Sequence, residues 1–232
     1  MRKPITFHLP FEQHPRRVRV VVPSQVEAHP PLLVLFDGQN VLDHHGSHVG
    51  GWLAHEAVNK LPKTIRRPVI VAVDHGGLGR MRELWSELDA FLHFVMEEAL
   101  PEAERQLGTT FDPTMRVIGG ASMGGLASLG AIARHPHFFR GALAMSPSAW
   151  VVPAEIHRDL QRARLTQATR IYVDVGERES ERMVREAKQV ADQLAAKLSS
   201  TQWMWRPDKR GKHRESDWQR RLPKALRFLF RK

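Results

Sequence analysis

Between Val117 and Gly125 the chain reads Val-Ile-Gly-Gly-Ala-Ser-Met-Gly-Gly, and few folds accommodate such a run. An apolar, β-type stretch over residues 115–118 meets a small-residue helix start over 126–133, and the junction is Gly120-x-Ser122-x-Gly124. Glycines two residues either side of a serine suit a helix that folds back over its own strand, because a Cβ there would meet the returning backbone. This is the nucleophile-elbow pattern: the serine sits in a strained turn with Oγ exposed at the carboxyl end of a sheet. The Met123 amide then points toward an oxygen that gains negative charge beside Oγ. The pattern is short, and its weight comes from the strand before it and the helix after it.

The surrounding chain supplies a sheet to carry that turn. Residues 5–9 and 16–22 read as an antiparallel hairpin at one edge, with Pro10 and Pro15 in its loop. Residues 32–36 and 69–73 are continuously apolar, as in parallel strands covered on both faces. Residues 142–145, 171–175 and 202–205 bring the predicted strands, with the elbow strand, to eight. Helical patterns cover 52–61, 87–107, 181–198 and 217–230; Pro101 implies a kink or two successive helices in the second, and Pro223 falls inside the last. Strands alternating with helices imply an α/β fold with a mainly parallel sheet, ligands binding at the carboxyl ends of its strands. The connection over 146–170 is short, which leaves little or no lid and an open site. No repeat, biased tract or composition shift marks a second domain, so residues 1–232 read as one.

Composition closes several routes. The chain has no cysteine, which removes disulfides, thiolate metal sites and a cysteine nucleophile. A net charge of +10 suits a polyanion-binding surface, but the basic residues are scattered and no nucleic-acid motif accompanies them, so they read as solvated faces. The run Asp43-His44-His45-Gly46-Ser47-His48 has residue types that can ligate zinc, yet it lies in a loop without evident ligand geometry and is read as no metal site. No apolar run is long enough to span a membrane, and the N-terminus lacks a signal-type apolar segment; the expectation is a cytoplasmic protein without a membrane partner.

A serine in this turn expects an acid and then a histidine further along the chain. His213 follows the last strand and precedes the last helix, where the fold returns a loop to the serine. His135 and His137 end the elbow helix at the opposite pole, whereas His44, His45, His48 and His75 precede the serine. The acid falls to Asp174, Glu177 or Glu179. Asp174 lies within its strand and reads as structural, and the turn after Gly176 leaves the other two open. Such an acid fixes the imidazole tautomer and stabilises the imidazolium. Trp52, Arg80 and Trp150 are candidates for the pocket wall, and the flexible loop over 74–80 lies at the same end of the sheet as the elbow.

Five segments together extend the argument: 36–43 (Phe-Asp-Gly-Gln-Asn-Val-Leu-Asp), 76–83 (Gly-Gly-Leu-Gly-Arg-Met-Arg-Glu), 120–125, 172–179 (Tyr-Val-Asp-Val-Gly-Glu-Arg-Glu), and Gly211-Lys212-His213 with Trp218. In this order, over about residues 16 to 230, they resemble the Putative esterase family of α/β hydrolases, which includes siderophore esterases, feruloyl esterases, esterase D-like enzymes and mycolyltransferases. The resemblance implies an α/β-hydrolase fold, Ser122 as nucleophile, His213 as general base and acid, and no cofactor. It places the acid three residues after the glycine, at Glu179, and pairs the Gln39 amide with that of Met123 in an oxyanion hole. It departs at His75, where many members carry Asn.

The expected chemistry is two-step acyl transfer from a small-molecule ester through an acyl-enzyme. An acyltransferase with the same triad is the first alternative, and a catalytically silent polyanion-binding module is the second. The basic residues Arg206, Lys209, Arg210, Lys212 and Arg214 around His213, with Arg80 opposite, suggest a cationic mouth and a preference for anionic esters.

Overall fold

A computed structural model describes residues 3–12, 14–42 and 50–232. Its eight strands form one sheet in the order β1-β2-β4-β3-β5-β6-β7-β8. The edge hairpin is β1 (Ile5–Phe11) and β2 (His14–Val21), antiparallel to each other, and β2 is also antiparallel to β4 (Val69–Val73). From there on all neighbours are parallel: β3 (Leu32–Leu35), β5 (Arg116–Ala121), β6 (Gly141–Met145), β7 (Arg170–Gly176) and β8 (Trp203–Asp208). The mainly parallel sheet expected from the alternation is thus a mixed one, its antiparallel part being the hairpin edge.

Period-two alternation sorts the core. Leu32 and Val34 pack on one face with Phe36, Phe91 and Leu126, while Leu33 and Leu35 pack on the other with Trp52, Tyr172 and Leu222. Central strands covered on both faces therefore read as unbroken apolar runs, and so they do. The helices are α1 (Gly38–Val41), α2 (Ala54–Asn59), α3 (Leu88–Phe94), α4 (Leu100–Leu107), α5 (Met123–Arg134), α6 (Pro153–Arg162), α7 (Glu181–Lys197) and α8 (Glu215–Leu229). Wide π-type turns over Arg82–Ser86 and Val95–Ala99 precede and join α3 and α4. Among the described residues, no helix is long and apolar enough to cross a membrane.

Three details depart from the sequence expectation, each for a local reason. Pro10 and Pro15 face each other inside the β1–β2 ladder instead of lying in its loop. Two prolines opposite one another ask for no amide, and this strand pair is the sheet edge. Pro101 meets one of its two expected outcomes and lies where the long helical pattern divides: it stands in the first turn of α4, directly after the π-type turn that joins α4 to α3. Helix α6 was read only as a short connection, because Ile156 and Leu160 are its only buried residues and so narrow a stripe gives a weak pattern. The loop over 74–80 is pinned, not loose. Arg17 Nε and Arg19 Nη2 donate to Asp74 at 2.7 Å each, while Arg16 Nη2 donates to Glu83 Oε1 at 2.6 Å.

The elbow itself is set by close backbone approach. A Cβ on Gly120 would lie 2.6 Å from the Gly124 carbonyl carbon and 2.8 Å from its Cα. Ser122 takes φ 58° and ψ −121°, a conformation side-chain-bearing residues rarely adopt. Its backbone is held at both ends: its N–H donates to Met145 O at 2.9 Å, and its carbonyl accepts from Ser148 N at 3.0 Å. Gly120→Ala is expected to lower stability by about 1–3 kcal/mol through this overlap. Denaturant unfolding measures it, and an unchanged midpoint would show that the start of α5 can retreat.

Candidate active site

Three loops at the carboxyl end of the sheet bring Ser122, His213 and Glu179 together. The serine arrives on the turn from β5 to α5, the glutamate on the turn after β7, and the histidine on the loop from β8 to α8. The last two are fastened backbone to backbone: Arg178 N donates to Gly211 O at 3.0 Å and Glu177 N to Asp208 O at 2.9 Å. A Cβ on Gly176 would sit 2.3 Å from the Gly211 oxygen, so this contact requires glycine.

The hydrogen bonds run in one direction. Glu179 Oε2 lies 2.8 Å from His213 Nδ1, and a carboxylate only accepts, so Nδ1 carries the hydrogen and donates. Nε2 is then the acceptor for the Ser122 hydroxyl at 2.9 Å. With that hydrogen committed, Ser148 Oγ at 3.2 Å donates to Ser122 Oγ. Trp218 meets the imidazole edge-on, centroids 4.9 Å apart and planes at 84°, and limits its rotation.

Glu179 is the most constrained member. Its side chain has no exposed surface. Oε1 accepts from Ser146 Oγ at 2.6 Å and from the Gly176 amide at 2.8 Å. Burial alone would push this carboxyl up, but the donors His213, Ser146 and Gly176 outweigh it and hold it below the ordinary glutamate range. Ser146 in turn accepts from Trp218 Nε1 at 3.0 Å and Arg221 Nη2 at 2.9 Å, and it holds a φ of 43° to do so. Glu177, by contrast, is exposed. Asp174 is fully buried and structural as read: it accepts from Ser146 N at 3.1 Å and Tyr172 Oη at 3.2 Å. Burial pushes its carboxyl up, against the nearby Arg221 charge.

Met123 opens α5, and Gln39 lies in the first turn of α1, so both amides belong to helix starts whose N–H groups have no partner within their own helix. Asp37, at φ 55°, turns the chain from β3 into α1. Its carboxylate accepts from Arg80 Nε at 2.6 Å and Nη2 at 2.7 Å. His75 accepts from Gly77 N through Nδ1, its own amide donates to Gln39 Oε1 at 3.3 Å, and burial pushes its ring pKa down.

A cavity of about 360 Å³ opens beside Ser122, with Asp37, Asn40, Trp52, Arg80, His213, Glu215 and Trp218 in its wall. Trp52 and Arg80 thus both line the cavity that holds Ser122. Trp150 does not line this cavity; its ring lies under Arg182, whose Nη2 donates to the Trp150 carbonyl. The cationic mouth is also corrected. Arg80 is paired with Asp37, Arg214 with Asp217 at 2.7 Å, Glu215 adds a carboxyl to the wall, and Arg206, Lys209 and Arg210 border a different cavity. The run from Asp43 to His48 lies outside the described residues. Among the described residues no three His, Asp or Glu side chains gather as a metal site would require.

Ser146, Ser148 and Arg221 escaped the sequence reading. The segment Ser146-Pro147-Ser148 is visible as a loop at the carboxyl end of the sheet, but nothing in its spacing says that one hydroxyl meets Glu179 and the other Ser122. Arg221 is one of many arginines on an amphipathic helix.

Comparison with known proteins places this geometry in a family. The Putative esterase family model matches residues 12–229. An iron(III) enterobactin esterase of Dickeya dadantii is 35% identical over 127 residues, which is 55% of this chain and 28% of that protein. The BES protein of Bacillus cereus shares the fold with a TM-score of 0.80 at 20% identity, over 98% of this chain and 94% of that one. The enterobactin esterase of Shigella flexneri, solved in the presence of enterobactin, gives 0.80 at 23% identity over 98% of this chain and 59% of its own. The chain spans little more than a quarter of the curated relative, but the family model covers nearly all of it. It belongs to the Putative esterase family of α/β-hydrolase-fold proteins.

Proposed function

We propose that this protein is a serine carboxylic-ester hydrolase acting through a Ser122–His213–Glu179 triad. The carrying observation is the unbroken hydrogen-bond chain from Glu179 Oε2 through His213 to Ser122 Oγ, with its direction set by the carboxylate. His213 Nε2 takes the serine proton as Oγ attacks the ester carbonyl, and Glu179 stabilises the imidazolium that forms. The Met123 and Gln39 amides receive the oxyanion. His213 then protonates the leaving alcohol and deprotonates the water that releases the acyl group. Only neutral imidazole accepts the serine proton, so the rate falls toward acid pH. Small esters enter the cavity walled by Arg80, Trp52 and Trp218, and esters of the enterobactin kind are the first natural class to test, given the relatives. A cytoplasmic location fits such a role.

Ser122→Ala is expected to abolish turnover of p-nitrophenyl acetate while leaving the fold intact. Fluorophosphonate labelling followed by peptide mapping checks it directly; a labelled peptide lacking Ser122 would overturn the nucleophile.

Glu179→Gln should lower kcat at least tenfold more than Glu177→Gln, since Glu177 is exposed and Glu179 holds the imidazole. The reverse order in steady-state kinetics would move the acid to Glu177.

Ser146→Ala removes one donor from the acid. It also leaves Arg221 Nη2, 3.9 Å from Glu179 Oε1, free to draw on the carboxylate directly and compete with His213. A fall in kcat of about tenfold with little change in KM is expected, equivalent to about 1.4 kcal/mol. Ser146→Gly, which also lacks the hydroxyl but takes the φ of 43° without strain, should lose as much; parent-like kcat in the glycine variant would show that the hydroxyl contributes nothing.

A further inference from the structure

On the outer edge of the sheet, between β8 and α8, lies a second cavity of about 460 Å³, larger than the one beside Ser122. Tyr172 and Arg221 form its buried inner wall, and Arg206, Lys209, Arg210, Arg220 and Lys224 surround its opening. Of these six cationic side chains, Arg220 is paired with Asp208 and Asp217, and Arg221 lies 3.5 Å from Asp174 and 3.9 Å from Glu179. Here Arg206, Lys209, Arg210 and Lys224 have no ion-pair partner among the described residues. Arg221 is 6% exposed, and its Nη1 has no hydrogen-bond partner among the described residues, although Nη2 donates to Ser146.

Gathered like charges repel one another, by about 1 kcal/mol per pair at 4 Å even in water, so the arrangement gains most from a multiply charged anion. Guanidinium groups suit oxyanions because their planar fork offers two parallel donors. The cations come from a strand, a loop and a helix, so they converge on a concave volume instead of forming a flat stripe. That shape favours a small ligand over an extended polyanion. A diphosphate group carries more charge and more acceptor oxygens than a single phosphate, so it can meet more of these donors at once. We propose that this cavity is a second ligand site, for a small molecule bearing a diphosphate-type polyanion, separate from the cleft at Ser122.

Titration calorimetry on the intact protein, with inorganic diphosphate and ADP as probes at 0.1 M salt, tests this. One saturable site per chain is expected, with orthophosphate at least tenfold weaker. Diphosphate matching ADP assigns recognition to the anion alone, while ADP tighter than diphosphate adds a nucleoside contact; both outcomes support the site. The double variant Arg206→Ala/Lys224→Ala removes only exposed side chains and should weaken diphosphate at least tenfold with an unchanged melting temperature. Raising salt to 1 M, where the Debye length falls to about 3 Å, should weaken it too. Ser122→Ala protein should bind as the parent does, so the result stands apart from the esterase reading. Absence of saturable heat, undiminished affinity in the double variant, or tighter binding to duplex DNA without unit stoichiometry would overturn the proposal.

Discussion

A single buried carboxylate governs the carboxyl end of this sheet. The Glu179 side chain has no exposed surface, and a charge in such a place is tolerated only if hydrogen bonds replace its lost water. Three donors do so: His213 Nδ1, Ser146 Oγ and the Gly176 amide. Each comes from a different part of the chain, so satisfying one acid brings three loops into register. The glycine contact between residues 176 and 211 is a precondition, because any side chain at 176 would hold the acid turn and the histidine loop apart.

The way the acid is supported also preserves its hold on the histidine. Arg221 lies near two buried carboxyls, 3.5 Å from Asp174 and 3.9 Å from Glu179, yet its short hydrogen bond goes to the Ser146 hydroxyl. A direct fork from arginine to Glu179 would draw the carboxylate's charge toward the guanidinium and compete with the imidazole. A neutral hydroxyl between them orients Oε1 and leaves Oε2 to His213. The cost is a serine at φ 43°, held there by the bonds at its amide and hydroxyl. Strain at the loop after β6 and strain at Ser122 after β5 are thus two parts of one constellation.

Much of this was legible in the residues. The elbow, the central strands and the chain order that favours His213 follow from glycine sterics, apolar runs and topology, all local or nearly so. The choice of Glu179 over Glu177 came only through family resemblance; it depends on which way a turn faces, and side-chain direction in a turn is not periodic. Helix α6 and the in-strand prolines were missed because a two-residue stripe and an edge position leave weak patterns. Ser146 and Ser148 were missed for another reason. Their roles arise from tertiary contacts with Glu179 and Ser122, and a hydroxyl in a loop carries no signal of its partner.

Charge shows the same limit most sharply. A net +10 is a property of the sequence, but where the field acts depends on pairing. On β2 the arginines are consumed in pinning the loop over 74–80, which carries Arg80 to the cleft, and Arg80 is itself matched by Asp37. With Glu215 also in the wall, the cavity at Ser122 has little net positive charge to attract an anionic ester. Its selectivity must then come from shape, part of which is set by Trp52 and Trp218, packed on each other in its wall with ring centroids 5.9 Å apart. Arg206, Lys209, Arg210 and Lys224, exposed and without an ion pair among the described residues, stand instead beyond β7, on the outer side of β8 and α8. The cavity at Ser122 and this cationic cluster therefore lie on different parts of the sheet, and the field of the cluster acts away from the serine.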